Sequence, residues 1–204
     1  MENFAPTKST LISAKASLEF SKKGFELLDK KRNVLIREIM SYVSKAYSLQ
    51  EDINSTFAKA YEALRDANIN SGILNVEDVA MAIDESKDYE IIFKSVMGVE
   101  VPKIIFEKKE ITTKYGFYRS TPSIDEAVKE FNKVKFLTYE LAEVENAIYR
   151  LAIEVKKTQK RANALQNIQI PKFGEIVKFV TEVLEEKERE DFFRLKVVKK
   201  KHKK

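Results

Sequence analysis

The sequence predicts a mainly α protein, in which a long antiparallel two-helix left-handed coiled coil carries a small central β-hairpin/loop lobe. Two long stretches without Gly or Pro, residues 25–71 and 123–170, favour long helices on either side of the centre. Five of the nine Gly and Pro residues lie between them, from Gly72 to Pro122. Because the chain must fold back through this centre, the two long helices are expected to run antiparallel.

Mostly apolar residues recur every seven positions along each stretch, in two offset series. The first stretch holds the series Leu11, Leu18, Phe25, Arg32, Ile39, Ala46, Ile53, Ala60, Ala67 and Ala14, Ser21, Leu28, Leu35, Tyr42, Leu49, Thr56, Ala63. The second holds Ala127, Val134, Leu141, Ile148, Val155, Ala162 and Leu137, Val144, Leu151, Thr158, Leu165. Such spacing is typical of a coiled coil, and a strict seven-residue repeat implies left-handed supercoiling. An ordinary helical bundle is the alternative, but no further long helix exists to complete one.

Capping signals indicate where the two long helices begin. Thr7, just after Pro6, is the expected N-cap of the first helix. Ser123 with Glu126 resembles a capping box at the start of the second. The chain then divides into a first coiled-coil helix, a central lobe, a second coiled-coil helix and a basic tail, at 7–70, 71–122, 123–196 and 197–204.

The centre has a different composition from the two long stretches. Residues 89–93 and 99–106 are rich in β-branched and aromatic side chains, which favours two short strands or a loop-rich lobe. Gly98 and Pro102 limit how far these strands can pair. A short helix is predicted before them, over residues 76–84.

Catalytic and metal-binding motifs are absent from the sequence. The chain has no Cys, which favours a reducing compartment, and its single His, His202, lies within a run of lysines. No Gly-rich phosphate loop, dinucleotide fingerprint or zinc-protease motif occurs. One acidic cluster could hold a divalent cation, but the interleaved Lys187 and Arg189 make a salt-bridged solvated face the better interpretation: Glu182, Glu185, Glu186, Glu188, Glu190 and Asp191. The chain is therefore not expected to be an enzyme by itself.

The positive charge is concentrated at the C-terminus. The net charge is +5, yet the last fourteen residues hold seven Lys or Arg and one Asp. If Ala67 lies opposite Ala127, residues beyond about Leu184 extend past the first helix as a single helix ending in this basic tail. The tail is either a solvated end, a contact for an acidic protein surface, or a nucleic-acid contact. No basic stripe continues along the body, which weakens the last option, and no apolar run approaches the ~20 residues that span a bilayer.

Two residues of the first helix interrupt its pattern. Arg32 places a charge on the apolar series, where it either extends its head into water or fixes the register of the two helices. Gly24 costs a helix roughly 1 kcal/mol relative to Ala, so it marks either a close approach or a local weak point.

The chain contains four segments that resemble the signatures of a known family. In chain order they are residues 24–35, 96–102, 158–171 and 184–196. They read GFELLDKKRNVL, VMGVEVP, TQKRANALQNIQIP and LEEKEREDFFRLK. The chain thereby resembles the D subunits of V-type (archaeal or vacuolar) ATPases. Departures from the family pattern are modest and include Asp29, Asn33 and Gln166.

The resemblance implies a central rotor shaft, or central stalk, that couples ATP hydrolysis or synthesis to rotation and to H⁺ or Na⁺ transport. It implies contacts with the A and B subunits of a catalytic hexamer, with an F-like stalk subunit and with a membrane-rotor adaptor subunit. ATP binds on partner subunits, so no cofactor or metal is expected here. The chain would lie on the cytoplasmic side of a membrane-bound complex, without inserting into the membrane or binding nucleic acid. The expected partner-contact residues are Phe192, Phe193, Arg194, Leu195, Lys196, Met97 and Val99.

Two other classes of protein share parts of this pattern. A free-standing coiled-coil scaffold, or the stalk of an export apparatus, would have similar long helices, although the central VMGV segment argues against both. A nucleic-acid binder would use the basic tail. Co-purification with partner subunits distinguishes these classes from a rotor shaft.

Overall fold

The computed structural model describes residues 5–83, 89–106, 115–116 and 120–201. It contains α1 (Lys8–Ser71), α2 (Ile73–Ala82), β1 (Tyr89–Val96), β2 (Val99–Phe106), α3 (Pro122–Ala164), a π-helical turn (Leu165–Gln169) and α4 (Ile170–Lys201). The predicted fold class is confirmed, because a pair of long helices dominates and the two strands form one small antiparallel sheet. His202 lies outside the described residues.

The chain forms two compact units, and the long helices contribute to both. Unit 1 comprises Met1–Val34 and Val155–Lys204, and unit 2 comprises Leu35–Glu154. Within unit 1 the antiparallel pairing places Arg32 against Gln159 and Lys8 against Glu188. Within unit 2 the same sense of pairing brings Ala67 against Ile124 and Ala127.

The seven-residue series are the buried seam of the helix pair, which confirms the coiled-coil prediction. No member of either series in α1 is exposed, and Leu35, Ala60 and Ala67 are fully buried. In α3, Val144 and Leu151 are likewise fully buried. A seam this narrow buries about one or two side chains per turn, as expected for two helices without a third layer.

The start of α1 agrees with its predicted cap, whereas the start of α3 does not. The Thr7 Oγ1 accepts a hydrogen bond from the Thr10 N–H at 3.2 Å. The predicted N-cap at Ser123 is wrong, because α3 already begins at Pro122. Proline is favoured in the first helical position, where a missing N–H costs nothing. The Ser123 Oγ instead accepts a hydrogen bond from Asn70 Nδ2 at 2.7 Å.

A sharp turn at Gly72 separates α1 from the short helix α2. Gly72 has φ +81°, in the left-handed region where a side chain is strained. The predicted short helix over 76–84 is present but begins earlier, at Ile73, and ends at Ala82. Its half-buried Val76 and Val79 pack against the cluster formed by Ala67, Ile124 and Ala127.

Candidate partner-binding surfaces

The last part of α4 is exposed among the described residues, although Glu188 in it forms an ion pair with Lys8 at the start of α1. Leu184 is half-buried, and every described residue from 185 to 201, here called the bare segment, is exposed. The side chains of Phe192, Phe193 and Leu195 are 66%, 64% and 69% exposed. A predicted overhang beyond about Leu184 is therefore confirmed. An isolated helix of this length is only marginally stable in water, so most of its stability must come from the helix that precedes it or from a partner.

The charges of the bare segment change sign along its length. Glu185 pairs with Arg189 at 3.7 Å, and Arg194 pairs with Glu190 at 3.6 Å and with Asp191 at 3.7 Å. These ion pairs form a solvated face that carries both acidic and basic groups. Within the described ranges, no group of three or more His, Cys, Asp or Glu residues could hold a metal ion. The last turn carries Lys199, Lys200 and Lys201, where positive charge interacts favourably with the helix dipole.

The hairpin turn displays Met97 and holds Val99 at its base. Met97 and Gly98 have φ +52° and +81°, and Val96 pairs with Val99 across them. Positive φ at both central residues defines the turn that best suits a two-residue hairpin. A non-glycine residue in the left-handed region costs roughly 1–2 kcal/mol, a kind of strain that gathers at functional sites. The Met97 side chain is 47% exposed, whereas Val99 is half-buried.

Within unit 2, the hairpin packs along α3. Phe106 stacks on Phe136, with ring centroids 5.2 Å apart. The Ile104 N–H donates to Glu143 Oε2 at 2.9 Å. Arg150 Nη1 donates to the carbonyl oxygen of Glu100 at 3.1 Å. Since Phe136, Glu143 and Arg150 are seven residues apart, one face of α3 binds the outer edge of β2 along its length.

The other strand of the hairpin presents an apolar surface that the sequence pattern does not single out. Ile91, Ile92 and Phe93 are 50%, 38% and 56% exposed. The Arg150 guanidinium lies 5.1 Å from the centroid of the Phe93 ring and shields part of it. The β-branched and aromatic composition of β1 predicts a strand but cannot show which strand faces α3.

A third apolar surface lies around α2, which has no buried residue. Ile69, Ile73, Leu74 and Met81 are each at least 70% exposed. A mostly apolar helix of ten residues would ordinarily bury one face, so its exposure marks a contact surface. Its sequence signal is the run of apolar residues after Gly72.

The predicted contact residues therefore form two separate groups rather than one site. Phe192, Phe193, Arg194, Leu195 and Lys196 belong to unit 1, and Met97 and Val99 belong to unit 2. Arg32 contributes to neither group. Its Nη1 donates to Gln159 Oε1 at 2.7 Å and its Nη2 lies 2.5 Å from Asp29 Oδ1, which favours the register role over a head extended into water.

Nothing in the described ranges has the geometry of a membrane span, since no helix there combines sufficient length with sufficient apolarity. Among the described residues, the distinctive features of this coiled-coil protein are its exposed apolar surfaces. Residues 10–200 match the family model of the ATP synthase D subunit. The chain therefore belongs to the ATP synthase D-subunit family.

Individual relatives agree with this assignment over nearly the whole chain. The V-type ATP synthase D subunit of Thermotoga neapolitana is 45% identical, covering 97% of both chains. The A-type ATP synthase D subunit of Thermococcus gammatolerans is 39% identical, covering 97% of this chain and 94% of the relative. The corresponding protein of Pyrococcus abyssi is 36% identical, covering 95% and 92%.

Proposed function

We propose that this chain is the central rotor shaft of a V-type or A-type ATP synthase or ATPase, and that it holds no catalytic site of its own. It transmits rotation between a catalytic hexamer of A and B subunits, where ATP is bound, and a membrane rotor that transports H⁺ or Na⁺. Family membership across residues 10–200 supports the subunit assignment. The observation that carries the mechanical role is the bare segment, a helix that exposes two adjacent phenylalanines.

The expected partners are assigned to the bare segment, to the surface around α2, and to the coiled coil with its hairpin. The bare segment inserts into the hexamer, where Phe192, Phe193 and Leu195 provide apolar contacts and Arg194 and Lys196 meet polar or acidic groups. The surface around α2 meets the adaptor subunit on the membrane rotor. An F-like stalk subunit binds along the coiled coil, and Met97 and Val99 at the hairpin contribute to partner contact. The chain accordingly lies on the cytoplasmic side of the membrane, bound through other subunits.

The coupling mechanism follows from symmetry. Two helices have no threefold symmetry, so inside a ring with three catalytic sites the shaft presents a different face to each site. Contacts that differ between sites stabilise different conformations of those sites, since a partner shifts a conformational equilibrium only by its differential affinity. Rotating the shaft exchanges the faces and so links site occupancy to rotation.

Hexamer binding by shortened and substituted chains tests the proposal. We expect Phe192→Ala with Phe193→Ala to weaken binding by about 1,000-fold, because buried aromatic anchors each contribute ~2 kcal/mol or more at interface centres. The matched control, Arg194→Glu with Lys196→Glu, should weaken binding less than tenfold and in a salt-dependent way. Truncation after Asp191 should reproduce the loss, while binding of the F-like subunit stays unchanged.

Three results would contradict the rotor assignment or its use of the tail. Equal hexamer affinity for the intact, truncated and phenylalanine-free chains would leave the tail as a solvated end. Failure of the chain to co-purify with A, B and F-like subunits would favour a free-standing scaffold or an export-apparatus stalk. Loss of partners on nuclease treatment would favour a nucleic-acid binder.

A further inference from the structure

The second long helix of unit 1 contains one irregular turn, at Leu165–Gln169. There the Ile170 N–H donates to the carbonyl oxygen of Leu165, five residues earlier rather than four. A turn of this kind holds one more residue than an α-helical turn. The helix directions on both sides are otherwise continuous, with Ala164 and Ile170 in ordinary right-handed helical conformation.

The extra residue is visible in the seam. Leu151, Thr158 and Leu165 are buried or half-buried and follow one another at intervals of seven. The series resumes at the half-buried Phe173 and the fully buried Val180, so the interval from Leu165 to Phe173 is eight. A strict repeat would have placed Phe179 on the seam, yet its side chain is 55% exposed. The turn thus absorbs a one-residue insertion and keeps α4 in phase with α1.

Weak helix formers gather around this turn on both helices. Pro171 lacks an N–H, and in a regular α-helix its ring would collide with the carbonyl of Asn167, which lies inside the turn. Gly174 follows in α4, and on α1 Gly24 lies opposite Leu165, where an added Cβ would be 3.4 Å from Leu165 Cδ1. These three residues are among only nine Gly and Pro in the chain.

We propose that residues 165–174 form a conformational joint, at which the stored residue allows the helix to rewind locally while the seam on either side stays in place. The backbone hydrogen bonds in this turn close longer rings than those of an α-helix. Pro171 has no N–H, so one backbone carbonyl lacks its donor. Few side chains cover the turn, since Gln166, Asn167 and Ile168 are exposed. Gly24 permits the movement because it leaves Leu165 without a facing side chain. The joint is a property of the chain alone and does not depend on the proposed function.

Hydrogen exchange on the full chain tests the joint directly. The amides of residues 166–170, 172 and 173 are expected to exchange at least ~10-fold faster than amides 157–163 and 177–182 of the same helix, because local opening lowers protection. Uniform protection from 157 to 182 would overturn the proposal.

A pair of single-residue deletions provides a sharper test. Deleting Asn167 together with Pro171→Ala makes the interval from Leu165 to Phe173 seven, so a regular α-helix can form. The melting temperature is expected to stay the same or rise, and the exchange difference should disappear. Deleting the exposed Lys157 is the matched control. This deletion rotates Thr158 and Ala162, each 1% exposed, away from the seam, and the turn cannot bring them back because it lies after both residues. This control should melt about 5 °C lower or more.

The Asn167 deletion is compared with the single variant Pro171→Ala, which should slow amide exchange in residues 166–173 only in part. If both deletions lower the melting temperature equally, the turn does not store a dispensable residue and the proposal fails. The same conclusion follows if fast exchange persists after Asn167 is deleted.

Discussion

The two ends of the long helices differ in what holds them in place. At the closed end, defined here by Ala67, Ile124, Ala127 and the flanking Tyr115, apolar groups are almost completely buried and the hydroxyls of Ser71 and Thr121 lie 2.6 Å apart. The bare segment has no such cover. Stability intrinsic to the chain is therefore expected at the closed end, whereas the bare segment depends on contacts outside the chain.

The same kind of substitution should have very different consequences at the two ends. Ile124→Ala removes a side chain that is 2% exposed and leaves a cavity, so the free energy of unfolding should fall by about 2–4 kcal/mol. Leu195→Ala shortens a side chain that is 69% exposed and should change stability by less than about 0.5 kcal/mol. Urea unfolding of both variants of the full chain measures the difference. Similar losses in the two variants would show that the bare segment packs within the chain.

An intermediate loss of stability is expected at the hydrogen bond between Arg32 and Gln159, which joins the two helices of unit 1. Gln159→Ala removes the acceptor of the Arg32 hydrogen bond and the Nε2 donor to Asn163 Oδ1, and it leaves the partly buried guanidinium to Asp29 and Asn33. We expect a loss of about 0.5–1.5 kcal/mol in unfolding free energy. Gln159→Glu is the control, because it keeps an acceptor and adds an attractive charge for Arg32 while losing the same Nε2 donor to Asn163, so its stability should exceed that of the alanine variant. If the alanine variant is as stable as the glutamate variant, Arg32 does not fix the register.

The seven-residue repeat makes the helix pair predictable, because a single geometric requirement is repeated along many turns. It cannot predict the π-helical turn, since an interval of eight between Leu165 and Phe173 is equally compatible with an end of the coiled coil. The proline at position 171 suggests an end as well, although the helix continues through it. Whether the helix forms a π-helical turn or ends at this point depends on small differences in free energy between the two conformations. The seven-residue period carries no information about those differences.

The central region shows a similar division between local and tertiary information. Composition favours two short strands or a loop-rich lobe, but the expected limit on pairing at Gly98 and Pro102 is wrong, because the two strands pair along their whole length with Phe93 opposite Pro102. Their attachment to α3 depends on Glu143, Arg150 and Phe136, which are far away in sequence and carry no local signal of the contact. The same limitation explains why the capping prediction at Ser123 is wrong, since its bond to Asn70 exists only in the folded chain.

A pH-dependent hydrogen bond sharpens the comparison at the closed end. The Tyr115 hydroxyl donates a hydrogen bond to Asp125 Oδ1, and burial, followed by this bond and the Asp125 charge, raises the pKa of Tyr115 from 10.0 to about 12. Because the folded state holds the proton more tightly than the unfolded chain, the contribution to stability is complete below pH 10. It is lost as the pH rises from about 10 to about 12.

Tyr115→Phe removes this contribution, so its melting temperature should fall less steeply between pH 10 and pH 12 than that of the unmodified chain. Tyr42, whose pKa is also raised, chiefly by burial, is present in both proteins and cancels in the comparison. Since the chain has no Trp, alkaline tyrosinate absorbance can follow the titration of its tyrosines without indole interference. Parallel curves for the two proteins would mean that Tyr115 titrates as an ordinary surface tyrosine and that its bond to Asp125 contributes nothing to the pH dependence of stability at the closed end.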